Sequence, residues 1–278
     1  MKIARIITGL MLVAGITILY SGCKKEAKTT DSTVAATTSA QNNFMAEAAF
    51  DNATQWSDQA MAGRGLKSTL IDTVYMGTCV LATLDLTTMP YKLVIDFGQT
   101  NCQCSDMKYR RGKIIVQFTG GYWTAGTVIT YTFENYFIND NQILGTKVVT
   151  NKGRNAQNNF WWETVVQGSV IKANNGGTFT WNSTREHEWT VGESTLFEWW
   201  DDVYKITGSA NGTGTDGKTY TITITNPLMK KLNCEWIASG ILTIQVQDTP
   251  LITLNYGDGT CDNVAVASVN GQNYTINL

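Results

Sequence analysis

From Gly65 to the C-terminus the chain consists almost entirely of strand-type segments. Lys92-LVIDF alternates, with Leu93, Ile95 and Phe97 on one face. The segments Lys113-IIVQFT, Thr127-VITYTFENYFI, Lys147-VVT, Phe160-WWETVVQGSVI, Thr178-FTW, Tyr204-KIT and Thr219-YTITIT follow. They are rich in Thr, Val, Ile, Tyr and Trp, residues that fit a pleated surface. Asn174-Asn-Gly-Gly177, Asn211-Gly212, Asp216-Gly217 and Asn270-Gly271 punctuate them and read as hairpin turns, where positive φ is needed. No helical pattern separates the strands, so the crossovers that parallel pairing requires are missing. Roughly a dozen strands joined by hairpins make an antiparallel meander, and a sheet that large curls, closes or splits into two layers. The expected fold is mainly β: a large antiparallel meander sheet, curled, barrel-like or two-layered, with one N-terminal helix packed on it.

That helix is expected over about residues 43–61. Met45, Ala49, Ala53, Trp56 and Ala60 recur at three- and four-residue spacing, flanked by Phe44 and Ala48. Asn42 or Asn43 is the expected cap, Gly63-Arg-Gly65 the stop, and Trp56 the anchor on the sheet.

One phrase occurs twice. VIDFGQTNC ends at Cys102 and TLNYGDGTC ends at Cys261. Upstream of each lie a Cys (Cys79, Cys234), a strand and a Pro-bearing turn (Met89-Pro90, Thr249-Pro250), and downstream lies another strand. The unit spans about 79–119 and 234–278, which suggests an internal duplication or a reused corner. In a hairpin the start of the first strand lies beside the end of the second. Cys79 is therefore expected to bridge to Cys102, and Cys234 to Cys261, with Gly98 and Gly257 turning the chain towards the sulfurs. Cys104 is the odd cysteine, or an alternative to Cys102. Zinc is not expected, because Cys102 and Cys104 are one residue apart and His187 stands alone. Asp258, Asp262 and Asn263 are weak Ca²⁺ candidates, since hard cations want several such oxygens and turns use the same residues. No cofactor is expected.

The N-terminus carries an address. MKIARIITGLMLVAGITILYSGC has Lys2 and Arg5, then an apolar run to Tyr20, too short for a comfortable span, then Ser21-Gly22-Cys23. Small residues before a Cys resemble a bacterial lipobox, in which Cys23 becomes the acylated first residue; a plain secretory signal or an anchor is the alternative. Residues 1–22 are then the signal peptide. Residues 23–43, rich in Thr, Ala and Ser, are a flexible lipidated tether, and 44–278 the β domain. Lys24-Lys25-Glu26 resembles the signal that sends lipoproteins of the phylum Bacteroidota to the outer face of the outer membrane. The membrane is then a partner through the lipid. Nucleic acid is not, because 21 Lys and Arg face 23 Asp and Glu, and the leader removes two of the cations.

Chemistry is sparsely signposted. Nucleophilic catalysis needs a base beside Ser, Thr or Cys. The single His187, in Arg185-EHEW, reads as a surface strand residue, and no nucleophile-elbow pattern is present. Glu198-WWDD offers Glu198 and Asp202 on one strand face with Trp200, an acid pair of the kind glycosidases use. The pairs Trp161-Trp162 and Trp199-Trp200 would put one indole on each face of a strand. The outward ones are candidates for stacking on a sugar or on a protein partner, while a sheet buried on both faces would make them core.

The phrases Cys234-EWIASG … LNYGDGTCDN, IDFGQTNCQCSD with Arg111-Gly-Lys, and Trp200-Asp-Asp-x-Tyr-x-Ile-Thr-Gly208 together resemble uncharacterised exported lipoproteins of Bacteroidota over most of 75–278. The resemblance implies an envelope lipoprotein and carries over no catalytic residues. It also implies a Gly after Asp106, where this chain has Met107. The leading expectation is a non-enzymatic binding or interaction module at the cell surface. Carbohydrate binding or processing by exposed Trp and paired carboxylates is the alternative.

Overall fold

The computed structural model describes residues 26–62, 70–195 and 199–278. The leader, Cys23 and Lys24-Lys25 lie outside them. Helix α1 (Glu26–Ala62) comes first. The strands that follow are β1 (Ile71–Met76), β2 (Val80–Asp85), β3 (Tyr91–Asp96), β4 (Cys102–Gln103), β5 (Tyr109–Phe118), β6 (Val128–Ile138), β7 (Asn141–Arg154), β8 (Phe160–Ile171) and β9 (Thr178–Val191). After two short 3₁₀ turns, at Glu193–Thr195 and Trp199–Asp201, come β10 (Val203–Thr213), β11 (Thr219–Lys231), β12 (Ile237–Val246), β13 (Ile252–Asp258), β14 (Val264–Val269) and β15 (Gln272–Asn277).

All fifteen strands belong to one antiparallel sheet in which each strand lies beside its neighbour in sequence; only β4 is off the path, pairing with β5. The sheet is not closed into a barrel: β1 and β15 are its edges. Of the three forms a large meander can take, this is the curled one, because α1 approaches β3, β8, β9, β12 and β14 at once. The sheet wraps round the helix as round a spindle.

Sequence explains both surfaces. The concave side is apolar on every second residue, with Ile95, Ile114, Tyr131, Val166, Trp181, Ile222, Leu242, Leu254 and Ala267 all buried. The convex side carries β-branched polar residues, as in the row Thr223, Thr243, Thr253, which pair across β11, β12 and β13. Ala46, Ala49, Ala53 and Ala60 are buried on α1, and their small side chains let the sheet close in on the helix. Trp56 is the expected anchor, edge-on to Phe97 with ring centroids 5.0 Å apart. Phe50 is a second anchor, not anticipated, stacked on Trp181 at 5.8 Å and edge-on to Phe133 at 5.5 Å.

Several expectations change. The helix does not start at Asn43. Its backbone is helical from Glu26, across the stretch expected as tether, since no Gly or Pro interrupts 26–62 and a packed C-terminal half propagates a helix cheaply. Asn42 and Asn43 are buried mid-helix residues rather than caps: Asn43 donates to Glu47 at 3.1 Å and accepts from the Trp181 indole at 2.9 Å. Asn211-Gly212 lies inside β10, where the Thr180 carbonyl of β9 comes so close that a Cβ would sit 2.0 Å from it. The duplicated corners hold. Cys79 bridges Cys102 with Cα atoms 6.1 Å apart, and Cys234 bridges Cys261 at 5.7 Å. Gly98 and Gly257 both have positive φ, at 79° and 97°. The corners form β2–β3–β5 and β12–β13–β14, near the two edges of the sheet. Met107, where the resemblance implies Gly, is left-handed with φ 62°.

Candidate functional site

Inside the curl, one face of α1 is polar and so is the strip of sheet that it meets. Reading down the helix, Asn43 bonds Trp181, Glu47 pairs with Arg185 at 3.2 Å, and Asp51 pairs with Lys147 at 3.0 Å. Asp58 is the last acid of the series. Arg185 and His187 sit on β9 at the same inward parity as Trp181 and Trp189, and Lys147 projects inward from β7. Lys147 also donates to the Phe50 carbonyl at 3.1 Å. Lys230, on β11, donates to the carbonyls of Cys234 and Glu235.

The seam ends in a wall of rings. Tyr122 stacks on Trp162 at 5.1 Å, Trp123 lies 4.8 Å from Trp189, and Tyr204 lies 6.3 Å from both Trp162 and Trp189. Asp202 accepts from the Trp189 indole at 3.0 Å. Trp123 is exposed at the rim.

Burial and neighbouring charge shift the acids and the histidine of this seam in different directions. Asp58 has solvent-accessible surface, yet desolvation pushes its carboxyl up to about 7, against an opposing pull from Lys147. Burial also raises Glu47, partly offset by Arg185. At Asp51, burial is overcome by Lys147, His187 and Lys230, so that carboxyl lies below its ordinary value. Desolvation lowers His187 to about 4, Asp51 working against it and Lys147 and Arg185 with it. Near neutral pH His187 is therefore a neutral imidazole.

These shifts set a pH dependence. An unfolded Asp titrates near 3.9, so between about 4 and 7 the folded chain binds more protons at Asp58 than the unfolded chain does. Stability at this site falls as pH rises through that window. His187 acts in the opposite sense: its contribution is full above its unfolded value of about 6.5 and is lost as pH falls towards about 4. Asp58→Asn is expected to raise the melting temperature at about pH 8 and leave it unchanged at about pH 3. An equal rise at both pH values in a calorimetric scan would show that the carboxyl is not desolvated.

The anticipated site residues are scattered. Trp162 is buried on the concave side and belongs to the wall, whereas Trp161 faces outward beneath Lys152, 5.8 Å from its ring. Glu198 and the Trp199 side chain lie outside the described residues. Trp200 is half exposed, but it sits in a 3₁₀ turn rather than on a strand, so alternation does not align it with Asp202. Asp202 is buried against Trp189 instead of facing solvent. His187 is not an outer-surface residue; it faces the seam. Asp258 and Asp262 cap their own turns, at Thr260 and Val264, and among the described residues no three His, Cys, Asp or Glu side chains gather as metal ligands would. Cys104 is a buried free thiol beside the first disulfide, in a recess of about 370 Å³ lined also by Met76, Met107 and Trp56. Gln59, Thr78, Gln103 and Ser105 add polar groups to its otherwise apolar and sulfur lining.

The chain is a mainly β protein, an open meander wrapped round its N-terminal helix. Comparison with protein-family models, with curated proteins and with solved structures finds no match. No helix among the described residues is long and apolar enough to cross a membrane.

Proposed function

We propose that this chain is a lipid-anchored envelope protein, displayed at the cell surface, that works as a non-enzymatic binding module. Its ligand sits in the recess between the polar face of α1 and the concave sheet. One observation carries the reading: the acid stripe of α1 ends at Asp58, whose carboxyl desolvation pushes up to about 7 and whose charge acts on Tyr122 and Tyr204 in a wall of five aromatic rings. Concave sites with apolar walls and a few convergent polar groups are where small ligands bind. Anchoring and display rest on Ser21-Gly22-Cys23 and Lys24-Lys25-Glu26, and shaving of intact cells with protease checks them.

Carbohydrate binding or processing is the second reading, with different acids from those anticipated. Asp58, held up to about 7 among tyrosines, has the character of a general acid. A single titration serves both readings. The neutral probe N-phenyl-1-naphthylamine and soluble oligosaccharides are added to the domain while tryptophan emission is followed. Binding that Tyr204→Ala abolishes supports the recess, and oligosaccharide cleavage lost in Asp58→Asn favours the second reading. Probe binding indifferent to Tyr204→Ala would overturn the assignment of the site.

A further inference from the structure

The deep end of the recess contains polar groups that the protein itself leaves unmet. Arg185 is 3 % exposed. Its Nε donates to Glu47, but Nη1 and Nη2 are buried with no hydrogen-bond partner, leaving all but one of the guanidinium's five N–H donors unused. Ser183 Oγ, two residues back on the same face of β9, is equally unpartnered, and so are Trp162 Nε1 and Tyr256 OH. The register brings these together. Thr164 lies opposite Arg185 and Trp162 opposite His187, so the Trp162 indole is the diagonal neighbour of the guanidinium. Tyr256 feels the charges of both Glu47 and Arg185 across the bore.

Every one of these groups carries a hydrogen-bond donor, and buried donors are ordinarily paired. What they lack in common is acceptor oxygen. A guanidinium takes a carboxylate, phosphate or sulfonate through two parallel N–H···O bonds, a geometry that Lys cannot supply. Glu47, which holds the guanidinium, has a side chain 22 % exposed, so the ion pair lies one side chain away from solvent. Lys147 and Lys230 add positive charge to the same concave wall.

We propose that the recess selects ligands bearing an oxyanion, with Arg185 as the binding residue, the Trp162 N–H and Ser183 hydroxyl as further donors, and the aromatic wall covering the ligand's apolar part. This rests on the recess being the binding site, and it adds the chemical class of what enters. Glu47 competes with the guest for the same guanidinium, so its carboxylate sets how tightly the guest is held.

Two probes with one skeleton separate the claims: 1-anilinonaphthalene-8-sulfonate carries the anion, and N-phenyl-1-naphthylamine does not. The wild-type domain is expected to bind the sulfonate at least about tenfold more tightly than the neutral probe. Glu47→Gln, which removes the competing carboxylate, should tighten the sulfonate further. The double variant Glu47→Gln/Arg185→Gln leaves no buried charge unpaired, and in it the preference for the sulfonate should vanish while the neutral probe still binds. Equal affinities in the wild type, or a preference that survives the double variant, overturns the oxyanion assignment and leaves the recess standing. Failure of either probe to respond to Tyr204→Ala overturns both.

Discussion

A Phe50→Ala variant is expected to lose about 3–5 kcal/mol of stability in urea unfolding followed by tryptophan emission. The ring is 1 % exposed and is clamped between Trp181 and Phe133. On its third side is Gly168 of β8, where an added Cβ would come within 2.2 Å of the ring. Gly168 is thus a socket for Phe50, and Gly168→Ala should cost about 1–3 kcal/mol by overpacking. The two changes are expected to couple. With the ring removed, the extra methyl at residue 168 projects into the cavity, and Gly168→Ala becomes neutral or mildly stabilising in the Phe50→Ala background. A coupling energy of about 0.5–3 kcal/mol follows for groups in direct contact. Strict additivity would mean that α1 does not seat on β8 in this way.

The second large effect concerns the two staples, which are alike in design and unequal in consequence. Each closes a loop, with cysteines 23 and 27 residues apart, and each bridge is worth about 3 kcal/mol in the chain-entropy account. Cys261→Ser is expected to lose that amount outright, since no other cysteine lies in that corner. Cys102→Ser is expected to lose much less. Cys104 lines the same recess as Cys79 and Cys102, so after oxidative refolding it can take the place of Cys102. Peptide mapping of Cys102→Ser should then recover a Cys79–Cys104 bridge, and adding Cys104→Ser should bring the loss level with Cys261→Ser. Finding Cys79 unbridged in the single variant would show that the buried thiol is fixed too far away to substitute.

Much of this architecture was legible because it depends on parity and local turns. Leu93, Ile95 and Phe97 alternate inward as read, and all three are buried. The disulfides followed from hairpin geometry alone, and the Trp161-Trp162 pair does divide between the two faces. What was not legible depends on curvature. An acid stripe such as Glu47, Asp51 and Asp58 on a helix is ordinarily a solvated face, and nothing local says that a sheet will come round to enclose it. For the same reason Phe50, off the expected stripe between Ala49 and Ala53, was missed: a helix surrounded on several sides buries a wider arc than one resting on a flat sheet. One signal was available. Arg185 and His187 share parity with Trp181 and Trp189, so charges at inward positions already contradicted a purely apolar interior. The Trp199-Trp200 pair misled because its neighbours read as strand, whereas the chain makes a 3₁₀ turn there.

The helix at the centre of the curl also decides the order in which the molecule can assemble. Each strand pairs with a sequence neighbour, so the meander grows by short-range steps, the kind that folds quickly. Helix α1 has to meet β12 and β14 from the opposite end of the chain, which carries the closure entropy of nearly the whole domain. Wrapping is therefore the late, slow event. Until it occurs, Glu47, Asp51 and Asp58 are ordinary ions in water, and the seam acquires its shifted titrations only in the final step. A chain delivered N-terminus first makes its spindle before any of the sheet, so the helix waits longest to be enclosed.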